Sequence, residues 1–228
     1  LFDNRIYRLS VPEGRILGSF ASGGSQEAWA AGARPMGLGV WGGQVYHGVV
    51  NSGSAGGPSE ATVYVSERDG SQMRLLLRLD LGYRGASAPW SSWRNPSTMG
   101  GGHEAMLSDI VVRKNGDLLL GLRDRMGDTQ LSIGYGDLII ARQSGGVWVP
   151  DTTGGGEFYK DDIIHQEPLW GALALSPLGD RVVSSVLDPI VTQSGGAIWF
   201  DNSTGVGGMK ETLYQTTGAG ATDPTFAK

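Results

Sequence analysis

The chain is 228 residues long with 38 glycines, 7 tryptophans and no cysteine, so it can build one large all-β domain or two small ones but neither a disulfide framework nor a thiolate metal site. Its formal charge of −5 comes from 18 basic and 23 acidic residues scattered along the chain, which gives no electrostatic footprint for nucleic acid or an anionic membrane. There is no apolar run of about 18 residues to span a membrane, and the glycines fall at turns without a collagen-like period.

The first residues, Leu1-Phe2-Asp3-Asn4-Arg5, lack the charged and apolar regions of a signal peptide. They begin without Met inside a strand pattern, which reads as a fragment or processed form of a longer protein. Two strands on either side of Pro12-Glu13-Gly14 then read as the second half of a four-strand repeat over about 1–33. Three fuller copies follow. Pro35 to Val40 with Gln44-Val45-Tyr46, Leu107 to Val112 with Leu118-Leu119, and Gly171 to Leu175 with Arg181-Val182-Val183 are each a short apolar strand, a Gly-containing turn and a second strand. Each hairpin is followed by another strand and turn, at Thr62 to Val65 with Asp69-Gly70, Leu138 to Ala141 with Ser144-Gly145-Gly146, and Ala197 to Phe200 with Thr204-Gly205.

Radial repetition of four-stranded antiparallel blades, a β-propeller, is the expected fold, with little helix because no segment carries apolar residues at helical spacing. The whole of 1–228 reads as one propeller region, with blade parts at about 1–33, 34–82, 105–150 and 169–214. That makes about three and a half blades, short of the roughly four to eight that close a ring, so the remainder is expected from a larger propeller in the parent protein or from another copy. The turn glycines lie further apart than the roughly 40 to 50 residues of common repeats, and the excess sits in two long loops, 82–104 and 151–168.

In a propeller, the blade-to-blade connections open at the same end as the loops between second and third strands. This predicts one binding face made of His103, Glu104, Arg123, Asp124, Arg125, Asp128, His165, Glu167 and Asp188, with the loop tryptophans Trp90, Trp93 and Trp170. Strand alternation would send Arg123 and Arg125 to one side and Asp124 to the other, in an Arg–carboxylate network between blades. Asp109 is expected to neighbour one of these arginines, and Trp41, Trp148 and Trp199, in or beside strands, are expected to be packing residues. The His103-Glu104 and His165-x-Glu167 pairs could ligate a divalent ion such as calcium together with Asp128 or Asp188, but their spacing fits no recognised metal motif. No cofactor motif is present. Nucleophilic hydrolysis is disfavoured by the lack of a G-x-S-x-G elbow, of cysteine, and of any histidine beyond His47, His103 and His165. Two loop carboxylates at glycosidase spacing remain an alternative, and tryptophans in loops suit a sugar or a protein partner.

The chain resembles large bacterial exported surface proteins in which a propeller-like region precedes prealbumin-like β-sandwich domains of the serine-aspartate-repeat adhesin type. The shared phrases are Met36-Gly37-Leu38 with Gln44 to Val50, Met106 to Val112 with Gly116 to Asp128, Gly154 to Tyr159, Gly171 to Ser176, Val182 to Pro189 and Gly195 to Gly205. The likeness covers about 34–228, and Gly121-Leu122-Arg123-Asp124-Arg125 followed by Gly127-Asp128 is its most specific part. Members commonly carry a His-His-Asp-Glu-like cluster where this chain has Ile164-His165-Gln166-Glu167. The resemblance implies export and surface display, extracellular or at the cell surface, without established catalytic residues. The expected function is a non-enzymatic structural or adhesive module that binds a glycan or protein partner or assembles a surface layer or filament. A polysaccharide hydrolase or lyase is the alternative.

Overall fold

The computed structural model describes residues 3–54, 59–82, 90–93, 103–129, 135–153, 158–161, 169–190 and 194–215. The all-β expectation holds. Strands β1 (Arg5–Leu9) and β2 (Ile16–Ala21) form a hairpin, and three four-stranded sheets follow. The first sheet is β3 (Ala33–Trp41), β4 (Gln44–Asn51), β5 (Glu60–Ser66) and β6 (Arg74–Asp80). The second is β7 (Ala105–Val112), β8 (Leu118–Asp124), β9 (Asp137–Ser144) and β10 (Val147–Pro150). The third is β11 (Leu169–Leu175), β12 (Arg181–Leu187), β13 (Ser194–Asp201) and β14 (Gly207–Gln215). Each is an antiparallel meander with its strands in chain order. The α-helix among the described residues is the single turn α1 (Arg125–Thr129). No described helix is long and apolar enough to cross a membrane.

The middle sheet is buried on both faces, and its sequence shows why. In β8, Leu118, Leu120 and Leu122 join one core with Tyr46, Val63 and Leu77 of the first sheet, while the intervening Leu119 joins a second core with Leu169, Val182 and Phe200 of the third. In β9, Ile139 and Ala141 point to the first core, and Leu138 and Ile140 to the second. A period-two run with apolar residues in both phases is what a strand between two packed layers requires.

The sheets meet most closely where β3 packs on β7 and where β11 packs on β7 and β8, and glycine makes that approach possible. A Cβ on Gly37 would stand 2.8 Å from the carbonyl oxygen of Leu107, and one on Gly39 would collide with that of Ile110. Across the next boundary a Cβ on Gly121 would collide with the carbonyl of Gly171. Each first strand is also irregular at matching places: its register shifts between Pro35 and Leu38, between Leu107 and Asp109, and between Leu169 and Leu173. Such bulges leave backbone groups out of the ladder. Ser108, the extra residue of β7, donates its hydroxyl to the carbonyls of Gly121 (3.0 Å) and Gly171 (3.1 Å). Asp109 accepts from the N–H of Leu173 at 2.8 Å in the third sheet. The expected arginine neighbour is therefore replaced by a backbone donor of β11, the edge strand of the third sheet. Burial raises the Asp109 carboxyl above the usual range, against the pull of its bonds from Leu173 and Ile110.

Candidate functional site

An antiparallel meander returns every second turn to the same end, so the β4–β5, β8–β9 and β12–β13 loops share an end with the connections between sheets. The β6–β7 connection is fastened there by its own backbone. Trp90 forms a parallel bridge with His103, and the N–H of Ser91 donates to the His103 carbonyl at 2.7 Å. The N–H of Trp93 donates to the carbonyl of Ser52 at 2.8 Å, and its indole Nε1 donates to that of Ala105 at 2.9 Å. Trp90 is 6% exposed and packs in the first core, so its ring is a packing group and offers no face to a ligand, contrary to its expected place on the binding face.

Asp124 ends β8 at the centre of this region and is buried. Its Oδ1 accepts from the backbone N–H groups of Glu104 and Met126, both at 2.9 Å. Its Oδ2 lies 2.8 Å from His103 Nδ1 and 3.4 Å from the Tyr135 nitrogen. The His103 ring meets Tyr135 edge-on, with centroids 4.4 Å apart. Buried Glu104 makes an ion pair with Arg125, whose N–H also donates to the Glu104 carbonyl at 2.9 Å. The Arg125 guanidinium lies 5.0 Å from the ring centre of Trp93, and that of Arg34, in β3, lies 5.7 Å from the same ring. One indole thus receives a cation from each of two sheets, a favourable use of its negative π-face.

Arg123 goes elsewhere. Its guanidinium lies 5.6 Å from the ring of Trp170 in β11. The expectation that Arg123 and Arg125 share a side fails because α1 begins at Arg125 and ends the strand alternation, turning Arg125 toward the first sheet. Asp188 has a positive φ of 50° and closes the β12–β13 loop, its Oδ1 accepting from the N–H of Ser194 at 2.7 Å. Its charge also reaches Tyr214, whose hydroxyl is pushed up first by burial and then by Asp188, with Arg123 opposing. His103, Glu104, Asp124, Arg125 and Trp93 are therefore one cluster at the boundary of the first and second sheets, and Arg123 and Trp170 belong to the next boundary, near Asp188.

The side chain of Asp128, and His165 and Glu167 entirely, lie outside the described residues. Among the described residues no group of three or more His, Asp or Glu side chains could hold a metal ion. Arg34 and Tyr135 take part without having been foreseen: Arg34 reads as an ordinary strand-end arginine and Tyr135 as a loop aromatic. Trp41 departs from its expected packing role, being 41% exposed at the β3–β4 turn.

No family model matches the chain, and no curated protein matches it. Among solved structures, a puromycin-hydrolysing peptidase of Mycobacterium tuberculosis is similar at a TM-score of 0.28 and 13% identity, over 81% of this chain and 32% of that one. The chain thus spans about a third of the peptidase's length, and a likeness this low carries no argument.

Proposed function

We propose that the chain is a non-enzymatic, extracellular structural and adhesive module of a bacterial surface protein, its three meander sheets acting as propeller blades and its loop end binding a glycan or protein partner. The observation that carries this reading is how the charged groups of the loop end are used. Asp124 is occupied by backbone N–H groups and His103, Glu104 is paired with Arg125, and both carboxylates are buried. A hydrolase or lyase needs an acid and a base within reach of substrate, whereas these hold the loops in place. The guanidinium groups of Arg34 and Arg123, held on indole faces, suit recognition of planar acceptors on a partner. For the propeller, the support is the close stacking of first strands and the repeat of one bulge position in all three sheets.

The test offers the purified chain to immobilised polysaccharides and matrix proteins and follows both retention and product release. Retention without product is expected, weakened about tenfold when Trp170→Ala removes the support under Arg123. Release of reducing ends or unsaturated sugars, lost in Asp124→Asn, would replace this reading with the enzymatic one.

A further inference from the structure

The opposite end of the sheets carries the turns β3–β4, β7–β8 and β11–β12, and there the three sheets line an open cavity of about 390 Å³. Its apolar wall is Trp41 from the first turn with Leu175, Pro177 and Leu178 from the third, and its polar wall is Arg113 and Lys114 from the second. Trp41 is 41% exposed and Leu178 83%, an unusual exposure for large apolar groups at turn tips that Gly, Asn or Ser could fill. The indole N–H of Trp41 and the ammonium of Lys114 have no partner among the described residues. Among the described residues no carboxylate lines the cavity, although the chain as a whole is acidic.

The neighbouring acids are turned into the turns themselves. Asp117 accepts from the side chain of Asn115 at 2.9 Å and from the Gln143 N–H at 3.0 Å, and it also pairs with Arg113 at 3.5 Å and Arg142 at 3.4 Å. Trp148 Nε1 donates to the Gly116 carbonyl at 2.9 Å, and Asp180 accepts the Ser176 hydroxyl. The second and third turns that carry these walls are thus held by their own side chains.

We infer that this cavity binds an acidic sugar, a uronate residue of a glycan, with the apolar face of the ring on Trp41 and its carboxylate toward Lys114 and Arg113. A pyranose has one C–H face for an indole and a rim of hydroxyls, and the indole N–H of Trp41 supplies a donor for that rim. The cavity volume lies within the range of small-ligand sites and exceeds one ring, so one or two sugar units fit. An aromatic acidic peptide would satisfy the charge but lacks the ring of hydroxyls around an apolar C–H face that a pyranose offers to an indole. This site stands independently of the loop end, from which it is separated by the length of the sheets.

The experiment is calorimetric titration of the purified chain with trigalacturonate, with its methyl ester, and with a short Asp/Tyr peptide. Binding of trigalacturonate is expected, at least tenfold weaker for the ester and at least tenfold weaker in Lys114→Glu and in Trp41→Ala. Charge reversal at Arg15, exposed in the β1–β2 turn, is expected to leave it unchanged. Equal binding of acid and ester, unchanged binding in Lys114→Glu, tighter binding of the peptide, or no binding of trigalacturonate would each overturn the proposal. Circular dichroism of each variant separates loss of the site from loss of the fold.

Discussion

His47 shows how a single side chain sets a pH limit. It is 1% exposed in β4, accepts from the N–H of Gly23 at 3.2 Å through Nε2, and stacks on Tyr64 at 5.5 Å. Burial lowers its pKa to about 4. In the unfolded chain an ordinary histidine titrates near ~6.5, so between these values the unfolded state holds the extra proton. Stability is therefore full above the unfolded value and falls as the pH drops toward 4. A loss of about 2 kcal/mol between pH ~7 and ~5 is expected by urea denaturation, and His47→Gln should flatten that slope. Asp109 behaves differently. Asp109→Asn keeps an acceptor for Leu173 without a buried charge and should change stability by less than about 1 kcal/mol, whereas Asp109→Ala leaves that N–H unsatisfied and should cost about 1 to 2 kcal/mol in the same measurement.

At the scale of elements, β8 and the segments around it decide most of the outcome. Asp124→Ala removes the acceptor for the backbone N–H groups of Glu104 and Met126 and for His103, and a loss of about 2 to 4 kcal/mol is expected in chemical denaturation. Gly121→Ala drives a methyl into the Gly171 carbonyl and should cost at least about 2 kcal/mol, while Gly145→Ala meets nothing within 4 Å and bears only the strain of its φ of +59°, about 1 kcal/mol. The strands themselves were legible, because turn glycines separate apolar runs and because Leu118 to Leu122 is too apolar for a one-faced strand. The meeting of His103, Glu104, Asp124 and Arg125 was legible too, since meander topology alone brings those ends together. The split between Arg123 and Arg125 was hidden, because nothing in that short charged run marks the start of a helical turn. The partner of Asp109 was hidden for a related reason: which backbone N–H of an edge strand faces a neighbouring sheet leaves no trace in residue type.

For the whole molecule, burial predicts a gradient of rigidity. Amides of β8 and β9, enclosed by two cores, should exchange slowest, and those of the β1–β2 hairpin, whose Tyr7, Leu9, Ile16 and Leu17 are exposed, should exchange fastest. Hydrogen exchange read by mass spectrometry would show this directly, and equal protection throughout would mean that the sheets unfold as one unit. The tryptophans illustrate what whole-molecule context adds. Sequence position points the wrong way for both, since Trp90 lies within a long loop and is enclosed while Trp41 ends a strand and stands open, and only the neighbouring sheets distinguish them.

The unequal spacing of the sheets has a geometric result. At one margin they touch through Gly37, Gly39 and Gly121, and at the other through Arg74 lying 5.8 Å from the ring of Trp148. Sheets that touch at one margin and stand apart at the other form a wedge, and its angle is set by how small the inner residues are. Enlarging those glycines would push the inner margins apart and flatten the wedge between neighbouring sheets, without altering any residue of the loop end.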